Sequence, residues 1–253
     1  MPGADPKPLV RDTDADWREL GQTQPYWAVL SHPDFRSESL TPAKIEEFYA
    51  SGPFHIGPIA EGLKALTGEL PSGRALDFGC GVGRLAEAMQ AYAGHVTGVD
   101  ISPGMLALAR ARGSKVNYVD HIPAGPFDWI NSFIVFQHIP PARGEQIIEE
   151  LLSKLADGGM VSLQLTIWRD KNREWPKDEA QESVRSFFRK KIKGDRLLSL
   201  PVGHIHMYDY DLSRVVRLLN LAGVEEMRLT HTNHDGHHGA IILGRKTAPP
   251  SIS

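Results

Sequence analysis

The spacing of apolar residues changes once along the chain, near residue 74. Between about Trp17 and Leu70, apolar residues recur at helical spacing in short segments separated by proline, which predicts a helical N-terminal cap. After that point, short apolar runs alternate with amphipathic stretches. A rhythm of strand, helix, strand, helix predicts an α/β fold in which a mostly parallel sheet carries helices on both faces.

The individual elements follow from this rhythm. The predicted strands are Arg74–Phe78, His95–Val99, Val116–Val119, Phe127–Val135 and Met160–Trp168, followed by Val224–His231 and Gly239–Arg245 as a closing antiparallel pair. The predicted helices are Trp17–Gly21, Pro25–Leu30, Thr41–Tyr49, Pro58–Leu70, Leu85–Tyr92, Pro103–Ala111, Arg143–Leu155 and Leu212–Leu221. Sheets of this kind bind their ligands at the carboxyl ends of the strands.

Four segments follow from the same pattern. Residues 1–16 are rich in Pro and Asp and are expected to form a flexible arm, and residues 17–72 form the cap. Residues 73–246 form the sheet domain, and residues 247–253 form a tail. A basic insertion, residues 169–207, interrupts the alternation: its part from Arg169 to Arg196 holds ten basic and six acidic residues.

Composition excludes several classes of protein. The 253 residues include 28 basic and 31 acidic side chains, so the net charge of −3 argues against a nucleic-acid partner. One cysteine excludes an internal disulfide and a Cys-rich zinc site. The sequence contains no apolar run of about 18 residues and therefore predicts no membrane span. The first residues also lack the apolar core of a signal peptide. A cytoplasmic location is therefore expected.

The most informative stretch is a glycine loop between a predicted strand and a predicted helix. Its glycines, Gly79, Gly81 and Gly83, follow Asp77 in the spacing G-x-G-x-G. A dinucleotide fingerprint needs a small third residue at the position of Arg84, so the loop favours a ligand with an amino-acid moiety and a nucleoside. Asp100 ends the next predicted strand, where an acid can accept both ribose hydroxyls.

These motifs resemble those of the class I S-adenosylmethionine-dependent methyltransferases. The resemblance rests on Asp77-x-Gly79-x-Gly81-x-Gly83, on Gly98-Val99-Asp100-Ile101-Ser102, and on two later stretches, residues 127–139 and 151–159. It covers residues 74–168 well and residues 208–246 in outline. It implies a Rossmann-like, mostly parallel seven-stranded sheet and S-adenosyl-L-methionine as the cofactor.

The resemblance also implies roles for single positions. The three glycines would border the methionine end of the cofactor, and Asp77 would help to hold its amino group. Asp100 would bind the ribose. The implied adenine contacts are Ile101, which would pack on the ring, and Asp120 or its neighbour His121, which would meet the amino group. Ser132, Phe133 and Phe136 would lie near the transferred methyl group.

Histidines are the candidates for chemistry on the acceptor, because their unperturbed pKa lies near neutrality. His138 follows the fourth strand, and His237, with Tyr208 as a hydrogen-bonding neighbour, lies in a His-rich turn. His234 and His238 of that turn, together with Tyr208, are candidate acceptor contacts. The alternatives are a polar turn or, with Asp235, a metal site; no metal is predicted.

The expected activity is methyl transfer to a small molecule, with a hydroxyl of a sugar or nucleotide-linked sugar favoured. Tyr26 is a further candidate contact, because its segment resembles bacterial enzymes that tailor glycans and small molecules. The basic insertion would be a lid for an anionic acceptor, a homodimer contact, a membrane-surface helix or an ordinary surface helix. N-methylation, a non-catalytic cofactor-binding partner, a macromolecular acceptor and an NAD-dependent oxidoreductase stay open.

Overall fold

The computed structural model describes residues 12–170, 205 and 207–247. At its centre lies a seven-stranded sheet with the order β3-β2-β1-β4-β5-β7-β6. Its strands are β1 (Arg74–Phe78), β2 (His95–Val99), β3 (Asn117–Val119), β4 (Phe127–Ser132), β5 (Leu155–Arg169), β6 (Val224–His234) and β7 (His237–Lys246). The first five strands in this order run parallel, and β7 runs antiparallel to both of its neighbours. The predicted fold class and the predicted closing antiparallel pair are therefore confirmed.

Helices precede the sheet and alternate with its strands. Those of the cap are α1 (Thr13–Thr23), α2 (Pro25–Val29), α3 (Pro42–Ala50) and α4 (Gly52–Thr67), with a 3-10 turn at Pro33–Phe35. Those of the sheet domain are α5 (Arg84–Met89), α6 (Pro103–Ala111), α7 (Pro141–Ser153) and α8 (Leu212–Leu221), with a 3-10 turn at Phe136–His138.

Apolar side chains cover both faces of the sheet. One cluster, around Trp129, joins the sheet to α4, α5 and α6, and a second, around Phe127, joins it to α7 and α8. Burial on both faces explains why the central strands are nearly continuous apolar runs. A third cluster, around Phe48, is the core of the cap and includes Val82 of the glycine loop.

The first helix begins earlier than the predicted arm allows. Asp12 caps α1 by accepting a hydrogen bond from the Ala15 amide at 3.1 Å, and Thr13 and Asp16 are buried. The acidic residues that suggested an arm are the cap and first turn of a helix, where negative charge is stabilising. Residues 13–16 therefore belong to the cap, and the predicted boundary at residue 16 is wrong.

Other boundaries differ by smaller amounts. Helix α4 begins at Gly52 and contains Pro58, the residue at which the sequence pattern predicts its start. Helix α7 ends at Ser153, because Leu155 already pairs with Phe127 of β4. Of the basic insertion only residues 169, 170, 205 and 207 are described, so the roles expected of it, as a lid, a homodimer contact or a surface helix, fall outside the described residues.

The described residues contain neither a helix fit to span a membrane nor a cluster of metal-ligating side chains. No helix among them combines the length and the apolar character that crossing a bilayer requires. The same residues contain no group of three or more His, Cys, Asp or Glu side chains placed to hold a metal ion.

Candidate functional site

A cavity of about 280 Å³ opens at the carboxyl ends of β1, β2, β3 and β4, the edge at which this type of sheet binds ligands. Helix α1 contributes to its wall. The predicted cofactor-binding residues that line it are Asp77, Gly79, Gly81, Asp100, Ile101, Asp120, His121 and Phe133. Residues from four separate loops therefore meet in one place, as the sequence motifs require.

The glycine loop is held between the first two strands. The amides of Gly79 and Cys80 donate to the Val99 carbonyl oxygen at 2.8 and 2.9 Å. Gly79 has a φ of +74°, and a Cβ there would lie 2.4 Å from the Val135 side chain. Glycine at this position therefore lets the loops after β1 and β4 pack against each other beside the cavity.

Gly83 is the predicted cofactor residue that does not line the cavity. It is the N-cap of α5 with a φ of +91°, and a Cβ there would lie 2.2 Å from the Tyr118 hydroxyl. A glycine at this position is therefore explained by the close packing of the start of α5 against Tyr118 of β3. Gly83 itself does not contact the cavity.

Asp77 is a buried carboxylate with one satisfied oxygen. Its Oδ1 accepts a hydrogen bond from Asn131 Nδ2 at 2.8 Å, whereas its Oδ2 has no hydrogen-bond partner among the described residues. Burial raises the pKa of Asp77 to about 7, although Asn131 and the Arg84 guanidinium lower it. A buried oxygen without a partner is costly, and here it borders the cavity. It fits the amino group of a bound ligand.

Asp100 presents a carboxylate that the backbone fixes in place. Its Oδ2 accepts from the Gly81 amide and its Oδ1 from the Ser102 amide, each at 2.8 Å. Each carboxylate oxygen can accept two hydrogen bonds, so acceptor capacity remains for two hydroxyl groups. Ile101, which follows it, is 36% exposed and lines the cavity, as a residue that packs on a ring should.

Asp120 and His121 form the open rim of the cavity. His121 Nδ1 lies 2.9 Å from Asp120 Oδ1, and both side chains are largely exposed. The hydrogen bond from His121 lowers the pKa of Asp120. Asp120 is therefore ionised at neutral pH and accepts hydrogen bonds.

The loop after β4 carries strained backbone at the cavity wall. Ile134 has a φ of +59°, a conformation that β-branched residues rarely adopt. Its amide donates to Gln164 Oε1 at 3.1 Å, which holds the strained residue in place. Ile134 and its neighbours Phe133 and Val135 all line the cavity. Strain of this kind concentrates at functional sites.

Of the two predicted bases, His138 is the one that lines the cavity. It is buried, its ring centroid lies 4.8 Å from that of Trp17, and its Nε2 lies 3.3 Å from Gln137 Nε2. Thr166 donates to Gln137 Oε1 at 2.8 Å, which orients the amide so that Gln137 donates to His138. This bond leaves Nε2 as the unprotonated nitrogen of the ring.

The other predicted acceptor contacts do not line the cavity. Tyr26 packs against Phe48 and Tyr49 in the core of the cap. The Tyr208 amide donates to the Gln137 carbonyl oxygen at 2.6 Å, one residue from His138.

The predicted histidines of the β6–β7 hairpin fall into two groups. His234 and His237 oppose each other across the pair, and His234 contacts the ring of Phe133. His238 stacks on Trp168 at 4.8 Å, and its Nε2 lies 3.0 Å from Asp170 Oδ1. The structure therefore does not bring His237, the second predicted base, to the cavity.

Three residues of the site were missed by sequence reasoning. Asn131 stands beside Asp77 in the β1–β4 register, and its signal was a polar residue inside an apolar run. Arg84 is buried at the cavity and donates a hydrogen bond to Ser51 Oγ of the cap at 3.2 Å. In the sequence it served only as evidence against a dinucleotide-binding loop. Asp14 lines the cavity from α1, within the predicted arm.

Comparison with known proteins agrees with this geometry. Residues 75–159 match a family model described as a methyltransferase domain. The ubiquinone biosynthesis O-methyltransferase of Cronobacter sakazakii is 30% identical over 132 residues, which is 48% of this chain and 52% of that protein. The corresponding Xanthomonas campestris protein is 31% identical over 123 residues, or 44% and 51% of the two chains. The chain thus spans about half the length of the curated relatives it matches.

Solved structures share the fold. The magnesium protoporphyrin IX methyltransferase of Synechocystis with bound S-adenosylmethionine superposes with a TM-score of 0.60 at 17% identity, covering 95% of this chain and 100% of that one. An amino pentose methyltransferase of Micromonospora echinaspora, also with bound S-adenosylmethionine, gives a TM-score of 0.55 at 18% identity over 82% and 98% of the chains. At these identities the likeness shows the fold alone.

Proposed function

We propose that this chain is a class I S-adenosylmethionine-dependent methyltransferase that transfers a methyl group to a small-molecule acceptor. One observation carries the proposal. The carboxylates of Asp77 and Asp100, at the ends of neighbouring strands, border a single cavity, one with an oxygen free for an amino group and the other fixed for hydroxyls. This pair suits a ligand that joins an amino acid to a nucleoside.

The chain's own residues divide the work of holding this ligand. Asp77 and the backbone around Gly79 and Gly81 hold the amino-acid end, and Asp100 holds the ribose. Ile101 packs on the adenine while Asp120 and His121 border it. When bound, S-adenosylmethionine supplies an electrophilic methyl group on a sulfonium. Phe133 and Ile134, after β4, wall the cavity where the acceptor approaches.

We propose an oxygen atom as the acceptor. The Cronobacter and Xanthomonas relatives are named as O-methyltransferases, and oxygen with a high pKa requires a base. His138 is the first candidate for that base, because it lies at the cavity with Nε2 unprotonated. Release of the Gln137 hydrogen bond would free this nitrogen to take the proton. A sugar hydroxyl remains one form of this acceptor.

Calorimetric titration with S-adenosylhomocysteine, with NAD in parallel, tests the cofactor assignment. Saturable binding of S-adenosylhomocysteine without binding of NAD is expected, and the opposite result would refute the proposal. Transfer of labelled methyl groups to hydroxylated acceptors, compared with amine analogues of the same compounds, then tests the choice of oxygen. Labelling confined to the amines would replace O-methylation by N-methylation.

A further inference from the structure

A second cleft, of about 340 Å³, lies between α4 and the last two strands. Its walls are mainly apolar and include Phe54 from the helix and Ile241 and Leu243 from β7. Two polar side chains of β6, Arg228 and Thr230, stand beside these walls. The cleft therefore combines an apolar surface with one cationic group.

Phe133 forms a wall that the two cavities share. Its ring contacts His55 of α4 at a centroid distance of 5.4 Å and His234 of β6 at 6.1 Å. Burial lowers the pKa of both histidines, and the Arg84 charge lowers that of His55 further. Both imidazoles are therefore neutral near pH 7 and offer hydrogen bonds rather than charge.

Three buried polar atoms of β5 and β6 have no hydrogen-bond partner within the described chain: Gln164 Nε2, Thr232 Oγ1 and His234 Nε2. Gln164 Nε2 and Thr232 Oγ1 are neighbours, because each lies 3.0 Å from the position that a Cβ on Gly239 would occupy. Gln164 also holds Ile134 at the cofactor cavity. Buried polar atoms without partners are uncommon in folded proteins and call for an explanation.

Arg228 is the charged group of the cleft. It is exposed and forms no ion pair or hydrogen bond with any described residue. Arginine recognises planar anions such as carboxylates and sulfonates through two parallel hydrogen bonds. An apolar surface beside an unpaired guanidinium is complementary to a molecule with an apolar body and one anionic group.

We propose that this cleft binds the acceptor, an amphipathic small molecule whose apolar ring or chain lies against α4 and β7 and whose anionic group pairs with Arg228. This inference rests on the proposed methyltransferase function. The hydroxyl end of the acceptor reaches the cofactor cavity past Phe133. The polar atoms of Gln164, Thr232 and His234 then find their partners in the acceptor once Phe133 turns aside. The apolar lining favours an apolar ring over a sugar.

The test uses 8-anilinonaphthalene-1-sulfonate, a fluorescent aromatic anion, titrated into the full chain saturated with S-adenosylhomocysteine. The Arg228→Gln variant should weaken its Kd by about two- to fivefold, the range of an exposed ion pair. The Thr230→Trp variant should abolish saturable binding by filling the cleft. Arg217→Gln is the matched control, because Arg217 is an exposed arginine of α8, outside the cleft.

The outcomes separate the two proposals. Saturable binding that Thr230→Trp and Arg228→Gln reduce and Arg217→Gln does not would support the cleft as the acceptor site. Absence of saturable binding, or an equal effect of all three substitutions, would overturn it. Calorimetry with S-adenosylhomocysteine on the same samples shows whether each variant is folded. Failure of the original chain to bind S-adenosylhomocysteine contradicts the proposed function, and the probe is then titrated without it.

Discussion

Asp14 and Arg143 form a two-bond ion pair at the wall of the cofactor cavity. Arg143 Nη1 donates to Asp14 Oδ1 at 2.6 Å and Nη2 donates to Oδ2 at 2.9 Å, and both residues line the cavity. The pair ties α1 of the cap to α7 of the sheet domain. A bound cofactor would therefore lie beneath α1, which this ion pair fixes to α7.

Breaking the ion pair should speed the exchange of ligand. In Arg143→Ala we expect S-adenosylhomocysteine to dissociate about 1.4- to fivefold faster, because a partly exposed pair contributes roughly 0.2–1 kcal/mol. Stopped-flow displacement measures this rate. The matched control is Arg214→Ala, which removes a similar two-bond pair with Glu145 on the far side of α7, outside the cavity. Equal rates in both variants would show that α1 does not retain the ligand.

Removal of the Asp100 carboxylate should cost most of the affinity for the cofactor. We expect Asp100→Ala to weaken S-adenosylhomocysteine binding about 10- to 100-fold, because hydrogen bonds to a charged group contribute about 1.5–3 kcal/mol. Thermal unfolding without ligand reports the separate loss of the bonds to Gly81 and Ser102. Unchanged affinity in a folded variant would remove the ribose role of Asp100.

Affinity should depend on the ionisation of Asp77. Burial raises its pKa to about 7, so the carboxylate that attracts an ammonium is depleted below that pH. We therefore expect S-adenosylhomocysteine to bind more tightly as the pH rises from about 5.5 to about 8. Asp77→Asn should bind weakly at every pH and lose this dependence. An unchanged pH profile in the variant would assign the titration to another group.

The same pKa has a consequence for stability. Since the folded-state pKa of Asp77 lies above its ordinary value of 3.8, this carboxyl stabilises the ligand-free fold most at low pH. Its contribution decreases as the pH rises from about 4 to about 7 and is constant above that range. Asp77→Asn should therefore be more stable than the original chain at pH 8, as measured by urea unfolding.

His138 and His237 provide a direct comparison of the two predicted bases. We expect His138→Asn to lower kcat by about 100-fold with little change in cofactor affinity, the lower end of general-base contributions. His237→Ala should change kcat less, since the structure places His237 on β7 outside the cavity. A larger loss for His237 than for His138, in single-turnover assays with one acceptor, would return the base role to the hairpin.

Much of the candidate site could be predicted because its parts are local in sequence. The glycine loop, Asp77 and Asp100 occupy the ends of β1 and β2, and a strand–helix–strand unit brings such positions together whatever surrounds them. Gly83 shows that one motif position has two explanations, since a residue there must also be small to pack against Tyr118.

The residues that were missed act through contacts between distant segments. Asn131 meets Asp77 only because β4 pairs with β1, an order that no local pattern encodes. Asp14 is placed by a helix whose first turn has the composition of a flexible arm. The hairpin histidines are the opposite case. Their side-chain chemistry is evident in the sequence, but their distance from the cavity depends on the position of β7 between β5 and β6 in the sheet.

The position of Phe133 has a consequence for the order of events in turnover. A cofactor beneath α1 and an acceptor between α4 and β7 would enter through different openings, with this one ring between them. Neither molecule would then obstruct the path of the other. Substrates would add in either order and products would leave independently, so the kinetic mechanism would be random rather than compulsory.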